Sequence, residues 1–126
     1  MEITMAGKTI KQLIAEFGGA LKPYKATYGW PERFDSLPIV TYSLAGQDSK
    51  DRDLNNLVVG YSITYNIDIW CKTPAQCIDK MLEIEDALAA LGYVCVNQGT
   101  IYEDRSRHHL RATASGYYDE IQKKVR

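Results

Sequence analysis

The stretch LVVGYSITYNIDIWC, residues 57–71, decides the fold because apolar and polar side chains alternate along almost its whole length. One parity holds only apolar or aromatic residues, namely Leu57, Val59, Tyr61, Ile63, Tyr65, Ile67, Ile69 and Cys71. The other parity is mainly small and polar, with Val58 and Trp70 as apolar exceptions. This period of two predicts one β-strand with a buried face and a solvated face. At about 3.4 Å per residue it would reach roughly 50 Å, so we expect either a bulge near Gly60 or a hairpin arm that projects beyond the domain body.

A helix is predicted over residues 74–91, directly after this strand. Thr73 supplies a capping hydroxyl, Pro74 suits the first helical position, and Gly92 follows the last apolar residue. Its apolar residues span about half of the helical circumference, wider than the roughly 100° stripe of a helix packed on one side. They are Cys77, Ile78, Met81, Leu82, Ile84, Leu88 and Leu91. We therefore expect this helix to have a second packing partner.

Glu85 lies inside this apolar arc. Burying a carboxylate without a partner costs several kcal/mol, so its position needs an explanation. Three explanations stay open. The side chain reaches water along its methylenes, it pairs with an arginine of the same subunit, or it pairs with an arginine of a neighbouring subunit.

The remaining segments predict a first helix and several shorter strands. Residues 9–17 carry apolar side chains at helical spacing, and Gly18 and Gly19 end that helix. Short strands are expected at residues 39–44, 93–96, 100–104 and 109–118. Residues 21–38 are interpreted as a short strand with an irregular connection, and residues 121–126 as a basic tail that frays.

Residues 45–56, AGQDSKDRDLNN, form a charged segment with almost nothing to bury. Its charged residues are Asp48, Lys50, Asp51, Arg52 and Asp53. Ordering a backbone costs about 1–2 kcal/mol per residue, and this composition offers little apolar area to offset that cost. We therefore expect a loop that is mobile in a lone subunit and ordered by contact with a neighbouring molecule.

Length and composition restrict the class of protein. With 126 residues, 45% of them apolar and 25% charged, the chain suits one globular domain over residues 1–126. A net charge of −1 disfavours non-specific nucleic-acid binding. Since the sequence has neither a long apolar run nor a signal-peptide pattern, we expect a soluble protein made in a cytoplasm. Nine tyrosines against two phenylalanines favour half-buried sheet faces and contact surfaces.

No residue pattern in the sequence indicates catalysis or metal binding. The three cysteines are an odd number without an export signal, which predicts reduced thiols. Cys71 and Cys77 are spaced too widely for a typical zinc pair and fit a small apolar role in the core. No nucleophile elbow, metalloprotease helix or phosphate loop is present. We therefore expect no enzyme, no cofactor and no metal.

A basic cluster near the C-terminus consists of Arg105, Arg107 and Arg111. Three interpretations apply: a patch that contacts phosphate, a hairpin tip that carries charge for solubility, or an intersubunit salt-bridge surface. The last two are favoured.

In chain order, these patterns resemble a known family. The segment PIVTY at residues 38–42 precedes a charged loop, YSITYNIDIW at residues 61–70 precedes a helix closed by Gly92, and YED at residues 102–104 precedes a final alternating strand. This order resembles the tail terminator, or tail completion, proteins of long-tailed bacteriophages and prophages. The resemblance covers about two-thirds of the chain, while residues 105–109 depart from the glycine-containing turn expected there.

The resemblance implies an α+β fold in which two helices pack on one face of an antiparallel sheet that carries a long projecting hairpin. It also implies a structural virion protein that assembles into a homo-oligomeric, hexameric ring in the bacterial cytoplasm. That ring ends polymerisation of the tail tube protein at the head-proximal end of the tail and joins a head-tail connector protein. DNA passes through the ring without specific recognition, and no membrane is involved.

Two sets of residues are candidates for contacts in such an assembly. The oligomer interface is expected at Met81, Glu85, Leu88, Arg105 and Arg107. The contact with the tube or a neighbour is expected at Asp48, Lys50, Asp51, Arg52 and Asp53. The alternatives are another head-tail connector, such as a neck or head-completion protein, and, more distantly, a small α+β enzyme or ligand-binding domain with a pocket under the sheet.

Overall fold

A computed structural model of the chain describes residues 10–31, 33, 37–52, 58–104, 107–122 and 124–125, with the backbone alone described at 10, 47–52, 58–59 and 97–104. The helices and strands of this part, in chain order, are α1 (Ile10–Ala20), β1 (Thr27–Tyr28), β2 (Ile39–Arg52), β3 (Val58–Cys71), α2 (Pro74–Ala89), β4 (Val94–Asp104), β5 (Arg107–Asp119) and β6 (Lys124–Val125). A single 3-10 turn, Lys22–Tyr24, joins α1 to β1. The predicted α+β class is confirmed.

The strands form one sheet in the order β1-β2-β3-β5-β4, with β6 also paired to β5. All neighbouring pairs are antiparallel except β1 and β2, which run parallel over two residue pairs. The predicted strand, now β3, lies at the centre and pairs on both sides. On one side it meets β2 in a long hairpin, and on the other it meets β5 from Gly60 to Cys71.

Both helices lie on one face of this sheet and bury the apolar parity of β3. Phe17 of α1 stacks on Tyr65 of β3, with ring centroids 3.8 Å apart. The buried side of α2 consists of Cys77, Met81, Ile84 and Leu88. The β3 residues beneath the helices are Tyr61, Ile63, Tyr65, Ile67, Ile69 and Cys71. Residues of the other parity lie on the opposite side of the sheet, called here the outer face.

The predicted start of α2 is confirmed, whereas the helix ends at Ala89, two residues before the predicted Leu91, and Gly92 closes it as expected. Thr73 Oγ1 accepts a hydrogen bond from the backbone N–H of Gln76 at 3.2 Å, which satisfies one of the free amides of the first turn. At the other end Gly92 has φ 97°, and the N–H of Tyr93 donates to the carbonyl of Leu88 at 3.1 Å. This closure turns the chain directly into β4.

The expectation of a mobile loop at residues 45–56 is wrong for residues 45–52, which continue β2. Backbone pairing with β3 orders this segment, with Asp48 opposite Ser62 and Asp51 opposite Gly60. Register shifts after Leu44 and after Asp48 take up the surplus residues. A third shift, between Asp51 and Arg52, leaves the surplus residue in β3 between Val58 and Gly60, so the bulge expected near Gly60 is present in β3. Residues 53–56 lie outside the described residues.

Three other boundaries differ from the sequence predictions. Helix α1 continues through Gly18 and Gly19 to Ala20. A Cβ at position 18 would clash with the Tyr42 hydroxyl, so Gly18 allows close packing and does not end the helix. The two strands predicted at residues 93–96 and 100–104 form one strand, β4, with a register shift after Asn97. Part of the basic tail pairs with β5 as β6.

Replacing Gly60 by alanine tests how tightly the long hairpin is packed. A Cβ at this position would meet the Tyr117 hydroxyl and would lie 2.6 Å from the backbone oxygen of Tyr118, which cannot move aside. We expect Gly60→Ala to lower the free energy of unfolding by about 1–3 kcal/mol in urea denaturation. The control is Gly46→Ala in β2, where an added Cβ meets nothing within 4 Å and stability should change by less than about 0.5 kcal/mol. Equal losses in both variants would contradict this packing.

Candidate assembly surfaces

Two residues of the expected oligomer interface belong to the core of the subunit itself. Met81 and Leu88 are fully buried between α2 and the sheet. Their side chains cannot contact a second copy while the subunit is folded, so their assignment to an interface is corrected. The apolar arc of α2 is wide because only part of it faces the sheet.

The other part of the arc is exposed. Ile78 is 44% exposed and Leu82 is 52% exposed. Positions 78, 82 and 85 lie along one flank of a helix, so the half-buried Glu85 shares this flank. Burial, together with the charge of Glu85, raises the pKa of the Cys95 thiol in β4 to about 11. This flank of α2 is therefore directed towards β4, and Glu85 keeps contact with water.

Strand β4 is the last strand of the sheet order, and its second edge has no partner among the described strands. Val94 and Val96 pair with Ser115 and Thr113 of β5, which places both valines on the outer face. They are 68% and 55% exposed. The free edge is therefore bordered by apolar side chains on both faces of the sheet. We call Ile78, Leu82, Glu85, Val94 and Val96 the β4 edge surface.

The opposite lateral edge of the sheet carries exposed aromatic residues. Tyr28 of β1 packs edge-on against Tyr42 on the helix side, and its hydroxyl accepts a hydrogen bond from the Leu44 N–H at 3.0 Å. The chain then turns at Gly29, with φ 97°, onto the outer face. There Trp30 packs edge-on against Trp70 at 5.0 Å and remains 61% exposed. Each face of this edge therefore presents one ordered aromatic ring.

A polar cluster that the sequence did not predict lies beside Trp30 on the outer face. The Asp68 carboxylate is only 4% exposed. One of its oxygens accepts from Arg111 Nε at 2.8 Å and lies 2.7 Å from His109 Nε2, while the other accepts from Arg111 Nη2 at 3.2 Å. The His109 ring stacks on Trp70 at 4.4 Å. The cluster neutralises a buried charge and joins β3 to β5 beneath Trp30.

The sequence contained one signal for this cluster: the row of small polar residues on the outer face of β3 is broken near its end by a charged residue and a large aromatic residue. Asp68 and Trp70 are the charged and the large aromatic residue of that parity, and both are buried. Hydrogen bonding to Asp68 raises the pKa of Arg111, which keeps the guanidinium charged. With both carboxylate oxygens engaged, the arrangement supports a rigid platform for the exposed indole of Trp30.

The remaining predicted contact residues are placed only in part. Arg107 begins β5 and is half-buried, whereas Arg105 lies outside the described residues. The backbone of β2 carries Asp48, Lys50, Asp51 and Arg52. Asp53 is outside the described residues. Arg107 precedes His108, whose carbonyl oxygen contacts Cys77 near the start of α2, so Arg107 lies near that end of the helix.

The core role predicted for two cysteines is confirmed. Cys71 and Cys77 are fully buried. Cys77 Sγ donates to the carbonyl of His108 at 3.3 Å, and burial raises the pKa of this thiol to about 12. In the part of the chain that the structure describes, no three His, Cys, Asp or Glu side chains lie close enough to hold a metal ion.

An open groove of about 470 Å³ lies between α1 and the end of α2. Its charged side chains are Glu16 and Lys124, and Tyr93 and Val125 contribute apolar walls.

Within the described residues, no helix is long and apolar enough to cross a membrane. No family model matches the chain, and no curated protein matches its sequence. The resemblance to tail terminators therefore stays a prediction from the sequence pattern.

Replacing Asp68 tests whether the polar cluster stabilises the sheet. The amide of Asp68→Asn cannot accept from Arg111 and His109 as a carboxylate does, and it leaves the guanidinium without its counter-charge. We expect a loss of about 2 kcal/mol in the free energy of unfolding. The control is Asp79→Asn on the exposed side of α2, which should change stability by less than about 0.5 kcal/mol. Similar values for both variants would show that the cluster contributes little.

The reactivity of Cys95 tests the direction of the α2 flank. With a pKa of about 11, this thiol should react slowly with iodoacetamide at neutral pH and faster by about tenfold per pH unit until the pH reaches that value. Glu85→Gln removes a negative charge that disfavours the thiolate, so Cys95 should react several-fold faster at pH 8. Peptide mass spectrometry locates the label, and Glu83→Gln, elsewhere on α2, is the control. An unchanged rate in Glu85→Gln would place Glu85 away from β4.

Proposed function

We propose that this chain is a structural virion protein of the tail terminator type. Its subunits assemble into a ring on the end of a phage tail tube, stop tube polymerisation and present the surface that joins the tail to the head. The observation that carries this proposal is the β4 edge surface, in which exposed apolar side chains border, on both faces, a strand edge that has no partner among the described strands.

Such a surface favours a protein partner. A free strand edge offers backbone groups that pair with another chain, and proteins usually protect such an edge with charge or cover it. Here the bordering side chains are apolar, and a neighbouring subunit would bury the part of each side chain that is exposed to solvent. Since full burial of an aliphatic side chain contributes about 1.5–3 kcal/mol, covering what is exposed contributes on the order of 1 kcal/mol for each.

A ring makes a contact of this modest strength sufficient. Each subunit of a closed ring takes part in two contacts, so the contacts support one another once the ring has formed. In dilute solution the monomer can still dominate. The end of a tail tube would favour the ring by binding several subunits together, since linked sites raise the effective concentration of each contact.

The choice of a tail terminator among virion connectors is supported by the order of patterned segments in the sequence. Reconstitution with purified tail tubes decides between the two kinds of protein. A terminator binds tube ends and fixes tube length, whereas a neck or head-completion protein binds the head-tail connector and leaves the tubes to elongate. An enzyme or ligand-binding domain would do neither.

Placing charge on the α2 flank should abolish capping without unfolding the subunit. We expect the double variant Ile78→Glu, Leu82→Glu to keep the melting temperature of the isolated chain within a few degrees, because both side chains are about half exposed. Electron microscopy should then show tubes of uncontrolled length. The matched control is Ile121→Glu, since Ile121 is exposed in the turn after β5 and is not part of the β4 edge surface.

Capping by the double variant that equals capping by the wild-type chain would contradict the role of this surface. Loss of capping in Ile121→Glu to the same extent would show that added charge alone is responsible.

A further inference from the structure

We propose that the β4 edge surface of one subunit binds the opposite lateral edge of the next subunit, in a head-to-tail contact. The receiving side, called here the β1 edge surface, consists of Lys22, Lys25, Tyr28 and Trp30. This inference rests on the ring proposed above and specifies which two surfaces of the same chain meet.

The position of the two surfaces is the first argument. The sheet order places β1 and β2 at one lateral edge and β4 at the other. A contact between two different surfaces leaves one of each free on every pair of subunits, so that further copies add until the rotation closes a ring. A contact of either surface with its own copy would stop at a dimer.

The second argument is that the apolar groups match face by face. On the outer face Trp30 stands at one edge, and Val94 and Val96 stand at the other. On the helix side Tyr28 stands at one edge, and Ile78 and Leu82 stand at the other. If neighbouring subunits keep the same sheet orientation, each exposed aromatic ring meets a pair of aliphatic side chains.

Trp30 is suited to anchor such a contact. Tryptophan is among the residues that dominate binding energy at protein interfaces. Its ring is already ordered against Trp70 and His109, so binding costs little side-chain entropy. The Asp68 network holds that platform in place from below.

Charge is the third argument. Glu85 belongs to the β4 edge surface, and the exposed Asp86 follows it on α2. The exposed residues beside β1 include Lys22 and Lys25. Opposite charges on the two surfaces favour the head-to-tail contact, whereas either surface facing its own copy would bring like charges together.

Mixing two blocked variants tests this contact. Trp30→Glu blocks the β1 edge surface, and Val94→Glu with Val96→Glu blocks the β4 edge surface. At concentrations where the wild-type chain forms rings, or with tube ends present, each variant alone should be monomeric by native mass spectrometry. An equimolar mixture should form a dimer and nothing larger, because only one intact surface of each kind remains to be joined.

A second variant of the β1 edge surface distinguishes a loss of binding from a loss of folding. Lys22→Glu with Lys25→Glu changes the same surface without touching the Trp70 platform, and it should weaken ring formation at least tenfold. Circular dichroism and thermal melting confirm that each variant is folded.

The outcomes separate the two proposals. A wild-type chain that stays monomeric even on tube ends overturns the ring and this contact with it. A wild-type ring combined with variants that still form rings, or with a single variant that dimerises alone, overturns the head-to-tail contact and leaves the ring in place.

Discussion

The pairing of β3 on both sides is the constraint on which the rest of the structure depends. Because β2 and β5 occupy both of its edges, all of its backbone polar groups from Gly60 onwards have partners available, and one whole face of the strand can be dry. The helices cover that face, and the short Thr73–Pro74 start of α2 places the second helix directly after the strand. Central β3 therefore determines where both helices lie.

The same arrangement leaves two lateral edges of the sheet, whose backbone groups need cover from side chains or from another chain. At one edge, Tyr28 and its hydrogen bond to Leu44 cover the start of β2, and Trp30 closes over the outer face. At the other edge, β4 is bordered by exposed valines and by the α2 flank. In an assembly of identical subunits, both edges are covered at once if the β4 edge of one subunit binds the β1 edge of the next. This physical requirement links the fold to the proposed ring.

Local patterns predicted those parts of the fold that local physics determines. The alternation of β3 and the two caps of α2 depend on neighbouring residues, and both were predicted. The strand at residues 45–52 was missed because its composition offers no apolar burial, whereas main-chain pairing with β3 orders it.

The candidate site was harder to predict, because it depends on contacts between distant residues. The width of the apolar arc on α2 indicated a second partner. It could not show that Met81 and Leu88 face the sheet while Ile78 and Leu82 do not, since that depends on which side of the helix packs against the sheet. The burial of Trp70 likewise depends on Trp30, which lies 40 positions away in the sequence.

The central claim is that this chain closes into a ring that caps tail tubes. The most direct test is the native mass of the assembly, measured with the full chain alone and again with purified tube protein. The account predicts a closed ring, a hexamer as the resemblance implies, bound at one end of each tube. A chain that remains monomeric in both conditions and leaves the tubes unbound would contradict it.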